Sequence, residues 1–167
     1  MEHVIYSQTM DHLEQHDILS KLQHGYQHGY STGTQLWVID LFAQGLENRS
    51  QVDCISLDFA RTFDVVPHQR LLLKMNHYGI RNILPWIRHF IMGRTQRLLV
   101  DGVISREIQM ILGLGQGTVL VGLLFLIFIN NFAFICLWFV LWYFFFCDDT
   151  LRAKEITSNS DSVSRLH

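Results

Sequence analysis

Residues 52–80 read VDCISLDFARTFDVVPHQRLLLKMNHYGI, a pattern of a strand, a short loop and a helix. Residues 52–59 alternate in character and include β-branched side chains after a polar turn, which predicts a strand. Beyond Pro67, apolar residues at helical spacing predict a helix that stops at Gly79. Asp58 therefore lies at the end of an apolar strand, where its carboxylate projects from the strand terminus.

The rest of the chain also mixes helical and strand patterns. Asp101-Gly102 between apolar segments predicts a hairpin within residues 95–112. An aromatic strand is predicted at 138–146, and Thr150-Leu151 begins a possible further strand. Further helices are predicted at residues 4–20, 82–92 and 118–129. Another is predicted after a cap at Ser31 or Thr32 and runs through Leu36 to about Asn48. This mixture predicts a layered fold of the α/β or α+β class.

The composition is that of a folded domain. Of the 167 residues, 49% are hydrophobic and 17% are charged, which excludes a disordered chain. The formal net charge is −2, so the overall charge does not by itself indicate a nucleic-acid-binding protein.

Two acidic sites directly follow apolar segments. Asp148 and Asp149 follow an apolar run directly, and Asp58 ends another apolar strand. Paired aspartates in a tight turn, with a third on a neighbouring strand end, can hold two Mg²⁺ ions, because hard cations prefer oxygen ligands. The alternative interpretation is that Asp148 and Asp149 merely begin a solvated loop.

An uncharged segment admits two structures. Residues 119–147 contain no Asp, Glu, Lys or Arg and are long enough to span a membrane, which takes about 20 apolar residues. In a globular protein, the same segment would supply a buried helix and a core strand. The first alternative predicts membrane association, and the second an intracellular protein.

Two other groups of residues have a functional and a structural interpretation. His24 and His28 lie in a loop without cysteine partners, so their number and spacing disfavour a zinc site. The basic residues of one segment form either a phosphate-contacting face or an ordinary solvated surface. They are Lys74, Arg81, Arg88, Arg94 and Arg97.

Five segments, taken in order, resemble the reverse transcriptases of non-long-terminal-repeat retrotransposons of the jockey and chicken-repeat type. The resemblance extends from about Tyr6 to about Ile156 and follows the order of the family's motifs. The segments are QHGYQHGYSTGTQL (23–36), residues 52–80, FIMGRTQRLLVDG (90–102), GLGQGTVLVGLLFLIFINN (113–131) and FCDDT (146–150).

This resemblance implies the palm and part of the fingers of a right-hand polymerase, without a thumb. Residues 1–22 would form a helix at the edge of the fingers, and residues 23–156 the fingers and palm. Residues 157–167 are a polar tail that we expect to be disordered.

The resemblance also assigns catalytic residues. Asp58 matches the first catalytic aspartate, which binds both metal ions. Asp148 and Asp149 match the family's paired aspartates, and of the two Asp148 is the preferred assignment as a metal ligand. The implied cofactor is Mg²⁺ or Mn²⁺. The implied reaction is attack of a primer 3′-OH on the α-phosphate of a deoxynucleoside triphosphate.

Four further positions match the family's nucleotide-binding residues. Phe59 would offer its backbone carbonyl to one metal ion, and Phe63 matches the aromatic gate that crowds a ribose 2′-OH. Gln116 and Gly117 match the loop that contacts the template and the incoming nucleotide. The implied partners are an RNA template, a DNA primer and deoxynucleoside triphosphates.

Several residues depart from the family's pattern. Gly115 replaces the proline of its P-Q-G loop, and Gln27 replaces an arginine that lies near the triphosphate. Residues 132–146 form an apolar run where the family has a mixed polar connection. We therefore expect a truncated, partly degenerate copy with little or no catalysis. The alternative is a non-catalytic retroelement relic whose residues 119–147 lie in a membrane.

Overall fold

The computed structural model describes residues 1–29, 36–48, 50–132, 143–146 and 149–156. The chain divides into two compact units. The first, called the helical unit here, comprises residues 1–19 and 60–129. The second, called the sheet unit, comprises residues 20–59 and 130–167.

The described elements confirm a mixed composition of helices and strands. The helices are α1 (Glu2–Gln15), α2 (Leu36–Glu47), α3 (His68–His77), α4 (Leu84–Ile91) and α5 (Val119–Ile129). The strands are β1 (Gln51–Leu57), β2 (Thr95–Gln96), β3 (Leu99–Val100), β4 (Val103–Ile104), β5 (Ile108–Gln109), β6 (Tyr143–Phe146) and β7 (Asp149–Ile156).

The sheet unit contains a three-stranded antiparallel sheet in the order β1-β7-β6. Strand β1 pairs with β7 from Gln51↔Ile156 to Leu57↔Thr150. Strand β6 pairs along the other edge of β7, and α2 packs against β1. The strand predicted to begin at Thr150-Leu151 is confirmed, and it runs from Asp149 to Ile156.

The core of the helical unit is α5. Its sequence, VLVGLLFLIFI, has no polar side chain, and all residues from Leu120 to Ile127 are buried. Helices α1 and α3 both pack on it. A helix that is apolar on every side needs such cover, because no face of it gains from contact with water. The covering helices bury Ile5, Met10 and Leu13 from α1, and Leu71, Leu72 and Met75 from α3.

The structure describes two parts of the uncharged segment 119–147. Helix α5 ends at Ile129 after 11 residues, and Tyr143–Phe146 form a strand. Eleven helical residues cover about 16 Å, roughly half the hydrocarbon thickness of a bilayer. Among the residues that the structure describes, no helix is both long and apolar enough to cross a membrane.

A backbone junction joins the loop after β1 to the segment before α5. The amide of Gly113 donates to the carbonyl of Val66 at 2.9 Å, and the amide of Leu114 donates to that of Phe63 at 2.8 Å. The buried His68 donates from Nε2 to the carbonyl of Gly113 at 2.7 Å. Three hydrogen bonds thus hold the two segments together within the helical unit.

Gly113 is the residue on which this junction closes. Its φ of +87° is in the left-handed region, and a Cβ at this position would lie 2.7 Å from the carbonyl oxygen of Asp64. That separation is too short for carbon and oxygen, and the obstacle is backbone rather than a flexible side chain. Glycine is therefore required here for both its conformation and its size.

The predicted hairpin at Asp101-Gly102 is confirmed. Both turn residues have positive φ, 49° and 81°, as a type I′ turn requires. The turn joins β3 to β4, and farther along the same two segments β2 pairs with β5. The register of the β2–β5 pairing is shifted by one residue relative to that of β3–β4. The hairpin therefore comprises two short ladders rather than two continuous strands.

Lys74 of α3 interacts with the C-terminal end of α5. Its Nζ donates a hydrogen bond to the carbonyl of Phe128 and lies 5.5 Å from the centroid of the Phe128 ring. Carbonyl groups at a helix C-terminus lack helical partners, and the negative end of the helix dipole favours a cation there. Burial nevertheless lowers the pKa of Lys74.

We expect Gly113→Ala to lower the free energy of unfolding by about 2–4 kcal/mol, through left-handed strain and the clash with Asp64. The matched control is Gly93→Ala, since Gly93 has a φ of +74° with open space around the Cβ position. The control should lose only about 1–2 kcal/mol. Urea denaturation measures both values, and equal losses would contradict the close approach at Gly113.

Lys74→Met should change how stability depends on pH. Because the pKa of Lys74 is lowered in the folded chain, the unfolded chain binds more protons between that pKa and the ordinary value of 10.5. The free energy of unfolding of the wild type therefore rises relative to that of Lys74→Met as the pH increases through this window. Urea denaturation from about pH 8 to 10.5 tests this, with Lys21→Met as control. A constant difference between wild type and Lys74→Met would contradict it.

Candidate active site

Two of the predicted catalytic aspartates meet at one end of the sheet. Asp58 directly follows β1, and Asp149 is the first residue of β7. The last pair of the β1–β7 ladder is Leu57↔Thr150. In an antiparallel ladder the next residue of one strand meets the preceding residue of the other, so the register brings Asp58 and Asp149 together in the backbone.

The described part of this cluster is incomplete as a metal site. Asp58 is exposed. Asp148 lies outside the described residues, and Asp149 is described only by its backbone position. Among the described residues, no group of three or more His, Cys, Asp or Glu side chains is placed to hold a metal ion. The assignment of the three aspartates as ligands stays a prediction.

Phe59 is fixed by an aromatic contact. Its ring meets that of Phe132 edge-to-face, with centroids 4.9 Å apart and an interplanar angle of 81°. Such pairs contribute about 0.5–1.5 kcal/mol beyond the area they bury. The contact restrains the residue that immediately follows Asp58.

The loop at residues 20–27 of the sheet unit is held by side-chain amides. Asn130 accepts a hydrogen bond from the amide of Ser20 through Oδ1 at 2.8 Å, and Gln23 accepts one from Gly25 through Oε1 at 2.8 Å. Gln27 donates from Nε2 to the carbonyl of Ser20 at 2.9 Å. Gln27 therefore supports the loop at the position where the resembling family carries a cationic side chain.

The other predicted nucleotide-binding residues belong to the helical unit. The ring of Phe63 lies 4.5 Å from that of Phe125 in α5, and the Phe63 carbonyl is part of the backbone junction. Gln116 and Gly117 are exposed in the segment that leads into α5. The structure thus divides the predicted site residues into two groups, one in each unit.

A pocket of about 390 Å³ lies beside Gln116 in the helical unit. Its polar lining includes Asp64, Arg94 and Gln96. The guanidinium of Arg94 occupies the space that a Cβ at Gly115 would take. A proline at position 115 would therefore displace Arg94, so the departure from the P-Q-G motif and the position of Arg94 are linked.

The sequence interpretation missed this role of Arg94, which it grouped with the other basic residues. The structure separates that group. Lys74 bonds to α5, whereas Nη2 of Arg97 lies 2.6 Å from Oε2 of Glu107. Arg81 and Arg88 are exposed. The sequence feature that could have pointed to this position of Arg94 is Gly115, which stands where the resembling family has a proline.

The histidine loop gives no support for zinc. Burial lowers the pKa of His24, which keeps its imidazole neutral over a wider pH range. Neither His24 nor His28 belongs to a group of metal-ligating side chains within the described part of the chain.

Comparison with known proteins identifies the family. The protein-family model described as reverse transcriptase (RNA-dependent DNA polymerase) matches residues 3–163 of this chain. The chain belongs to the reverse transcriptase family. It is a reverse transcriptase-like domain, as its sequence motifs predicted. Members of this family bind a nucleic-acid template and primer and usually use a divalent metal ion. No match to curated protein sequences was found.

The reverse transcriptase domain also resembles a solved structure, that of apo telomerase from Candida tropicalis truncated from its C-terminal domain. The TM-score is 0.64 and the sequence identity is 14%. The match covers 98% of this chain and 35% of the telomerase chain, so this domain spans about a third of that chain's length. At this identity the likeness shows a common fold alone.

Proposed function

We propose that this reverse transcriptase domain is the palm and part of the fingers of an RNA-directed DNA polymerase. Its type would be that of the non-long-terminal-repeat retrotransposons, jockey and chicken-repeat. In this proposal residues 1–22 form the edge of the fingers, residues 23–156 form the fingers and palm, and residues 157–167 form a tail. The substrates are an RNA template, a DNA primer and deoxynucleoside triphosphates.

The observation that carries the proposal is the register of β1 and β7. It brings Asp58 and Asp149 to one end of the sheet, next to Asp148 in sequence. In the proposed site these three aspartates hold Mg²⁺ or Mn²⁺ through carboxylate oxygens. When bound, such ions stabilise the attacking and leaving oxygens of an in-line phosphoryl transfer.

The nucleotide-binding assignment is supported by the packing of Phe63. An aromatic ring that leans on Phe125 of the buried α5 is held firmly enough to act as a steric gate against a ribose 2′-OH. Phe59, Gln116 and Gly117 complete the proposed contacts to the nucleotide and the template. Phe59 contributes its backbone carbonyl, and its ring is restrained by Phe132.

A second candidate function is a non-catalytic relic that retains nucleotide binding. The amide of Gln27 is engaged with the carbonyl of Ser20, in place of the family's cation near the triphosphate. A neutral amide stabilises developing negative charge much less than a guanidinium does. This observation favours weak or absent transfer chemistry.

Asp58→Asn should reduce primer extension on an RNA template in Mg²⁺ by at least about 100-fold, because it removes a ligand charge from the metal site. The matched control is Asp11→Asn, the same change at an exposed position of α1, and it should leave extension unchanged. A gel-based extension assay measures both variants.

If neither wild type nor Asp58→Asn extends a primer, nucleotide binding tests the second candidate. Mg²⁺-dependent binding of a deoxynucleoside triphosphate that Asp58→Asn abolishes would favour the non-catalytic relic. Binding that survives Asp58→Asn unchanged would contradict the assignment of Asp58 in both candidates.

Phe63→Val should weaken the preference for deoxynucleotides over ribonucleotides by about tenfold, because the smaller side chain leaves room for a 2′-OH. The ratio of dissociation constants for the two nucleotides measures this preference and does not require turnover. Phe90→Val, which removes a ring stacked on Trp86 of α4, is the control for ring loss elsewhere. An unchanged ratio in Phe63→Val would refute the gate.

A further inference from the structure

The hairpin β3–β4 exposes an unusual amount of apolar surface. Its four strand residues, together with Leu98, are all more than half exposed. Soluble monomers seldom leave such apolar side chains adjacent to one another, and a two-stranded hairpin is marginally stable unless something covers it. The exposed side chains are those of Leu98, Leu99, Val100, Val103 and Ile104.

The outer edge of β3 offers backbone groups for a further strand. The amide of Ser105 donates to the carbonyl of Leu98 at 2.8 Å, so this pair is hydrogen-bonded. Antiparallel alternation then makes Leu99↔Ile104 the non-bonded pair, and the amide and carbonyl of Leu99 point away from β4. Within the described residues no strand pairs with that edge.

We propose that a second copy of this chain pairs with the outer edge of β3, antiparallel and about a two-fold axis at Leu99. Leu99 then lies opposite Leu99 of the second copy, and Leu98 lies opposite Val100. The backbone groups of Leu99 are satisfied, and the two hairpins form one antiparallel sheet in the order β4-β3-β3-β4. An isologous contact of this kind closes on itself as a dimer.

Charge favours this edge over the other one. The two-fold axis at Leu99 brings Arg97, two residues before it, beside Asp101 of the second copy, and the contact occurs twice. Arg97 already bonds to Glu107 within its own chain, so its guanidinium would lie between two carboxylates. The equivalent axis at Ile104 of β4 would instead place Asp101 of one copy beside Glu107 of the other, and these two side chains carry like charges.

Sedimentation equilibrium at about 1 to 100 µM tests the dimer. Wild type should dimerise, whereas Leu99→Lys and Leu99→Glu should each weaken dimerisation at least about tenfold, since like charges then meet on the axis. An equimolar mixture of these two variants should recover association, which shows that both variants fold. Ile104→Lys, the same change at a comparably exposed residue of β4, is the control and should dimerise as wild type does.

Three outcomes would overturn the proposal. A wild-type chain that is monomeric over the whole range excludes a second copy as the occupant, and then another partner covers this edge. Equal weakening by Leu99→Lys and Ile104→Lys indicates non-specific apolar association. Failure of the mixed variants to associate excludes the axis at Leu99. None of these readouts depends on polymerase activity.

Discussion

Helix α5 must be covered on every side, and the arrangement of the helical unit follows from that requirement. The side chains from Leu120 to Ile127 are all apolar. Burying apolar surface stabilises the fold by about 25 cal/mol for each Å² removed from water. Helices α1 and α3 supply the cover, and Lys74 supplies a donor for a carbonyl at its C-terminal end. Phe63 packs on Phe125, so the same burial also restrains a predicted nucleotide-binding residue.

The sheet unit depends on a different constraint, the register between β1 and β7. A slip by one residue would reverse the face of every side chain along β7 and would separate Asp149 from the end of β1. Seven consecutive pairs, from Gln51↔Ile156 to Leu57↔Thr150, fix that register. The length of the ladder therefore fixes the register at the acidic end of the sheet.

Local sequence patterns predicted the elements that carry a local signal. The strand before Asp58, the helix after Pro67 and the turn at Asp101-Gly102 all follow from alternation, spacing and turn chemistry. Residues 119–147 were ambiguous because a run without polar residues has no periodicity to separate a buried helix from a membrane span. Contacts between distant residues were also beyond local patterns: the hydrogen bond from the amide of Ser20 to Oδ1 of Asn130 joins residues 110 positions apart, and no residue spacing indicates it.

The contact between Arg94 and Gly115 bears on how this sequence can change. Because the guanidinium fills the volume that a larger residue at 115 would need, the two positions are not independent. The guanidinium is, however, the far end of a flexible and exposed side chain, so it can swing aside when a proline is restored at position 115. A single substitution can therefore repair the loop, and the polar lining of the neighbouring pocket, which includes Arg94, would change with it.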